Sequence, residues 1–96
     1  MKVEEKNILS KLFDAYGGLL SEGQREIMSS YINYDFTVSE IAENQGISRQ
    51  AVMDSVTKAE KKLYDFENKL LLVKKIESLM EENQKLKKRL SKIKED

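Results

Sequence analysis

The stretch Thr37-Val38-Ser39-Glu40-Ile41-Ala42-Glu43-Asn44-Gln45-Gly46-Ile47-Ser48-Arg49-Gln50-Ala51-Val52 decides the fold. Thr37 and Glu40 have capping-box spacing, and behind them Val38, Ile41 and Ala42 form the apolar side of a short helix that runs out near Gly46. Ser48 is suited to cap the next helix through its hydroxyl, with Ile47 pinning the turn. A helix-turn-helix requires a small residue where its helices cross, a glycine in the turn, and a branched residue closing the core from the second helix. Ala42, Gly46 and Val52 supply these, with Ile41 and Ile47 expected as flanking core residues.

Downstream, Val52, Val56, Ala59, Leu63, Phe66, Leu70 and Val73 follow spacings of three and four, so this helix is expected to be the last core element. With that stripe inward, Arg49, Gln50, Met53, Asp54, Thr57 and Lys58 face out. In a helix-turn-helix such side chains enter a major groove: Arg49 suits guanine, Gln50 suits adenine, and Ser48 and Lys58 suit phosphates. The competing reading is a helical bundle that binds nothing charged, and the outward Asp54, which repels phosphate, counts toward it.

Upstream, Ile8, Leu9, Leu12, Phe13 and Tyr16 make one helical stripe, which Gly17 and Gly18 are expected to end with a left-handed cap. Ser21 and Gln24 repeat the capping-box spacing, and Ile27, Met28, Tyr31 and Ile32 give a second helix that fades at Asn33. The two should pack as an antiparallel hairpin. The aromatic residues at 13, 16, 31, 34, 36, 64 and 66 read as core and domain seam.

From Arg49 to the C-terminus there is no proline, glycine or turn cluster, so the helical pattern is expected to continue through most of that stretch. Ile76, Leu79, Asn83, Leu86, Leu90 and Ile93 fall at alternating intervals of three and four, the a and d pattern of a coiled coil with one buried asparagine. As a parallel homodimer seam, it would set Asn83 opposite Asn83 and Glu82 near Lys87 of the other chain; the alternative is a helix that folds back on its own domain. Lys85, Lys87, Lys88, Arg89 and Lys92, with Lys94, are the densest positive charge. They either contact a nucleic-acid backbone or complement the negative C-terminal pole of the helix. The chain thus divides into a helical domain, 1–73, holding the helix-turn-helix at 37–63, and an extended, basic, coiled-coil-like helix at 74–96.

Composition agrees. Ninety-six residues support one core, and the absence of proline with only four glycines reads as all-α. Without cysteine or histidine there is no disulfide, no thiolate or imidazole metal site and no nucleophile built on either residue. Carboxylate pairs such as Glu4 with Glu5 and Glu81 with Glu82 are sequence neighbours that diverge on a helix. No enzyme activity, metal or cofactor is expected. The longest apolar run, Leu70 to Val73, is far below the roughly 18 residues of a membrane helix. Met1 to Lys6 is too polar for a signal peptide, so an intracellular protein with no membrane partner is expected. Residues 1–46 carry four basic and eight acidic side chains, or −4, whereas residues 47–96 carry thirteen and nine, or +4. An anionic partner is expected for the second half.

Leu12-Phe13-Asp14-Ala15-Tyr16-Gly17-Gly18-Leu19-Leu20-Ser21-Glu22-Gly23-Gln24-Arg25, then Tyr31 to Phe36, Ser39 to Glu43, Ile47 to Val52, Glu60 to Leu63 and Glu67 to Leu70, together resemble the YlxM family of small bacterial helix-turn-helix proteins. The second half is also similar to region 4 of bacterial sigma factors, where the stretch matching Ser48, Arg49 and Gln50 opens the promoter-reading helix. The resemblance implies an all-α, sigma region 4-like bundle in a cytoplasmic regulatory protein that binds DNA or the RNA of the signal recognition particle and regulates that pathway. The alternative is an adaptor that binds a protein component of the particle without touching nucleic acid. The resemblance does not extend to the tail beyond Leu72.

Overall fold

The computed structural model describes residues 3–95. Its helices are α1 (Val3–Tyr16), followed by a 3-10 turn at Gly17–Leu19, then α2 (Glu22–Ile32), α3 (Val38–Gln45), α4 (Arg49–Leu70) and α5 (Leu72–Glu95), with no strand among the described residues. The fold is all-α, as the composition predicts.

The starts of α2, α3 and α4 each follow from a local hydrogen bond. Ser21 Oγ accepts from the Gln24 amide at 3.3 Å, and Ser48 Oγ accepts from the Ala51 amide at 3.0 Å. At α3 the box is reciprocal, with Thr37 Oγ1 accepting from Glu40 N and Glu40 Oε1 accepting from Thr37 N, both at 3.1 Å. These bonds satisfy amides that have no partner within their own helix.

The core draws Leu9, Leu12 and Tyr16 from α1, Ile27, Met28 and Ile32 from α2, Ile41 and Ala42 from α3, and Val52, Val56, Ala59 and Leu63 from α4, with Leu20 between α1 and α2. Helix α4 touches α1, α2 and α3 and is the spine of the bundle. Each fully buried aliphatic side chain stabilises by roughly 1.5 to 3 kcal/mol, most of it offset by chain entropy.

The expected inner stripes are wider than the bundle can cover. Ile8, Ile47 and Leu70 are exposed, at 47%, 41% and 44%. Each lies at the edge of its helix's stripe or in a turn, beyond the reach of a neighbouring helix. Tyr34, Phe36 and Tyr64 are likewise exposed rather than core, whereas Phe13, Tyr31, Phe66 and Val73 pack half-buried against it.

Neither Gly17 nor Gly18 is left-handed. The chain tightens instead into the 3-10 turn, with the Leu20 amide donating to Gly17 O at 3.1 Å. Gly17 lies close under the Phe13 ring, where a Cβ would stand 3.1 Å from the ring and press it to shift by a few tenths of an ångström. Positive φ occurs among the described residues at Asp35, Gly46 and Leu71, with angles of 55°, 68° and 54°. Asp35 turns the chain from α2 to α3 and is ion-paired to Lys6.

The expected continuous helix breaks at Leu71, without glycine or proline. The Leu71 amide still donates to Glu67 O at 2.8 Å, but the next amides leave the ladder. Leu72 N donates to the Tyr16 hydroxyl at 3.0 Å, while Val73 N and Lys74 N donate to Glu67 Oε1 and Oε2 at 3.0 and 3.2 Å. The Tyr16 hydroxyl in turn donates to Glu67 Oε1 at 2.6 Å. One carboxylate and one phenol therefore satisfy the opening amides of α5, and the negative charge sits at the positive pole of that helix. The hydrogen bond from Tyr16, then those from Val73 and Lys74, hold the Glu67 carboxyl below its usual range against an opposing effect of desolvation. Lys11 Nζ, 3.1 Å from Glu77 Oε1, ties the start of α5 to α1. Past this point α5 runs free of the bundle, and Ile76, Leu79, Leu86, Leu90 and Ile93 are all at least half exposed. It does not fold back.

Two outcomes follow from this packing. Ala42 is 7% exposed at the α3–α4 crossing, so Ala42→Leu should lower stability by roughly 1 to 3 kcal/mol through overpacking, read as a reduced Tm. Glu67, whose folded pKa is depressed, stabilises the fold fully above its unfolded value near 4.5 and loses that contribution as pH falls through the folded pKa. Urea midpoints of Glu67→Gln should therefore lie below those of the parent at pH 7 and converge on them in acid. Parallel curves from pH 7 to pH 2 would show that the carboxylate does not secure the joint.

Candidate nucleic-acid interface

Gly46, at φ 68° and ψ 32°, closes α3. Its amide donates to Glu43 O at 3.3 Å and the Ile47 amide donates to Ala42 O at 3.1 Å, a Schellman pair that turns the chain directly into the Ser48 cap. A side chain at position 46 would meet no steric obstacle, so the requirement for glycine there comes from the backbone angle alone. The turn sets α3 against α4, with Ala42 and Ile41 buried on one side and Val52 fully buried on the other.

With Val52, Val56, Ala59 and Leu63 no more than 2% exposed, the opposite side of α4 must face solvent. Ser48, Arg49, Gln50, Met53, Asp54, Thr57 and Lys58 are all exposed and span the cap and the first three turns of the helix. Arg49 stands in the first turn, where its charge adds to the positive pole of the helix. Neither Arg49 nor Lys58 is ion-paired among the described residues. Both are open to an anion.

Asp54 has a partner that the sequence reading did not assign. Its Oδ1 accepts from Gln50 Nε2 at 3.0 Å, an i to i+4 pair along the exposed face. The spacing was the available signal. The bond holds the Gln50 amide along the helix and leaves Oε1 and the second N–H open to solvent. It also diverts part of the Asp54 charge from solvent. Further along α4, Lys62 Nζ donates to Gln24 Oε1 at 3.1 Å and so ties α4 to α2, leaving Arg49, Lys58, Lys61 and Lys69 as the other exposed cations on this helix.

The basic residues Lys85, Lys87, Lys88, Arg89 and Lys92 stand exposed on the second half of α5. They belong to a different element from the α4 face, and no contact joins the two sets. Asn83 is exposed on the same helix. Among the described residues no group of three or more acidic residues is placed to hold a metal ion, and no helix is long and apolar enough to cross a membrane.

Comparison with known proteins agrees with this geometry. The model of a family described as "UPF0122: Putative helix-turn-helix protein, YlxM / p13 like" matches residues 3–96, so the likeness runs on through α5 and does not stop at Leu72 as the sequence resemblance alone implied. The chain is 42% identical over 96 residues to the UPF0122 protein YlxM of Bacillus subtilis (strain 168), covering all of this chain and 87% of that one. It is 44% identical over 84 residues to a UPF0122 protein of Halalkalibacterium halodurans, covering 88% of this chain and 77% of the relative. A UPF0122 protein of Thermoanaerobacter sp. (strain X514) is 42% identical over 87 residues, covering 91% and 74%. The family is described by its helix-turn-helix and not by an enzyme activity. A capped helix-turn-helix over Thr37 to Leu63, a family match along nearly the whole chain and these identities lead to one conclusion: the chain belongs to the YlxM / p13-like family of helix-turn-helix proteins.

Proposed function

We propose that this protein is a non-enzymatic regulator that binds nucleic acid through the outer face of α4. The observation that carries the reading is the division of α4 into a spent inner stripe and an open outer face headed by Ser48 and Arg49. Arg49 is assigned to a guanine edge and Gln50, held by Asp54, to an adenine edge. Ser48, Thr57 and Lys58 take the backbone, and Met53 makes apolar contact in the groove. The lysines and arginine of α5 are assigned to additional backbone contact.

Duplex DNA is the first ligand to test, and the RNA of the signal recognition particle is the second, on the strength of the family resemblance. Regulation of that pathway in the cytoplasm belongs to the same reading. The exposed stripe of α5 supports a second element, pairing with another copy of the chain to present two helix-turn-helix units. The same stripe favours the rival adaptor role, in which a protein component of the particle covers α5 and no nucleic acid is bound.

Fluorescence anisotropy with labelled duplex and RNA, at salt from 50 to 200 mM, separates these roles. Arg49→Ala should weaken binding by roughly 1 to 3 kcal/mol and relax preference at one base position. Lys58→Ala should weaken all sequences alike and reduce the slope of log K against log salt by about one. If both variants bind as the parent does at 50 mM salt, the α4 face is not the binding surface. If neither nucleic acid is retained at 50 mM salt, the adaptor role replaces this one.

A further inference from the structure

We infer that two copies of this chain pair through α5 in antiparallel orientation, with Ile93 of each copy docked at the groove between α1 and α5 of the other. This rests on the reading of the α5 stripe as a homodimer seam and adds its direction, its register and a receiving site. The parallel arrangement expected from the buried asparagine is replaced.

The stripe Ile76, Leu79, Asn83, Leu86, Leu90, Ile93 has intervals of three, four, three, four and three, which read the same in either direction. An antiparallel copy therefore meets it at every position, with Ile76 opposite Ile93, Leu79 opposite Leu90 and Asn83 opposite Leu86. Spacing alone permits a parallel pair equally well. Charge does not.

Residues 76–84 contain Glu77, Glu81 and Glu82 and no base, or −3, and residues 85–93 contain Lys85, Lys87, Lys88, Arg89 and Lys92 and no acid, or +5. The boundary between these nine-residue halves is the midpoint of the apolar stripe. An antiparallel pair sets each −3 half beside a +5 half, twice over. A parallel pair sets +5 beside +5 and −3 beside −3. Beside the seam, the antiparallel register brings Glu82 near Arg89 of the other copy and the Lys87 stem along Met80. The parallel register gains Glu82 with Lys87 but opposes Arg89 to Lys94.

Asn83 does not reverse the balance. In antiparallel order the two Asn83 residues flank the dyad, about 4.5 Å apart along the axis at 1.5 Å per residue, in adjacent layers of the seam and each opposite Leu86 of the other copy.

The groove is an independent observation. Ala15 on α1 and Val73, Ile76 and Met80 on α5 line an open depression of about 350 Å³, rimmed by Asp14 and by the ion-paired Lys11 and Glu77. Because Ile76 faces Ile93 of the second copy, the antiparallel register delivers the last turn of that copy's α5 to this groove. Lys92 and Lys94 arrive beside Asp14, the rim carboxylate that Lys11 does not pair. A parallel pair brings the helical body of the second copy to that end instead.

The native sequence has no cysteine, which makes cross-linking direct. Ile76→Cys and Ile93→Cys variants of the full chain, each alone and mixed in equal amounts, would be equilibrated in a glutathione redox buffer, resolved on non-reducing gels and sedimented. The expected result is a disulfide-linked dimer in the mixture at least tenfold more abundant than with either variant alone. A dimer that cross-links through Ile76→Cys alone and through Ile93→Cys alone, with no excess in the mixture, overturns the antiparallel order and leaves the homodimer standing. A sedimenting dimer that forms neither disulfide overturns the register. A parent chain that sediments as a monomer at high micromolar concentration removes the homodimer itself, and this orientation with it.

Discussion

Everything in the bundle depends on one helix serving as the inner wall for three others. Helix α4 presents Val52, Val56, Ala59 and Leu63 to α1, α2 and α3, and none of the four is more than 2% exposed. A single α-helix has only one stripe of that kind, so committing it inward determines what lies opposite. Ala59 and Ala42 keep the crossings close, and Gly46 and Ser48 bring α3 and α4 together with no slack in the turn. The exposed set from Arg49 to Lys58 is thus a geometric consequence of the core, positioned on a rigid element rather than on a loop.

The second dependency is the joint after Leu70. A leucine in the left-handed region costs roughly 1 to 2 kcal/mol relative to ordinary helix. That cost is offset because the break frees the opening amides of α5 to meet the Glu67 carboxylate and the Tyr16 hydroxyl. Tyr16 is 1% exposed and packs against Phe66 with ring centroids 5.9 Å apart, so the joint is anchored in the same core that α4 organises. Redirected in this way, α5 leaves the bundle with its apolar stripe uncovered. The exposed face of α4 and the uncovered stripe of α5 both trace to how α4 is held.

Much of this was legible in the residues. Capping spacings at Ser21, Thr37 and Ser48 and the glycine at 46 act over three or four residues, so local chemistry suffices to read them, and they set the starts of α2, α3 and α4. The outer face of α4 followed from periodicity. What was not legible depended on distant partners. Leu71 carries no turn-forming chemistry of its own, and its conformation is supported by Tyr16, more than fifty residues away. Gly17 has the composition of a left-handed cap, but the chain takes a 3-10 turn there, close under the Phe13 ring. Ile8, Ile47 and Leu70 continue apolar patterns whose edges a bundle this small cannot reach, a limit that pattern alone does not disclose. In the site, Asp54 read as an obstacle to phosphate, and its hydrogen bond to Gln50 gives it a positioning role as well.

The most direct measurement of the central claim is amide chemical-shift mapping of the full-length protein during titration with a short DNA duplex, repeated with an RNA hairpin. If the outer face of α4 is the binding surface, the largest changes fall on residues 48–58, with the buried positions Val56 and Ala59 little affected and α1 unchanged. Saturable changes confined to α1, α2 or the apolar stripe of α5, with residues 48–58 unmoved, would contradict the assignment of the helix-turn-helix as the nucleic-acid reader.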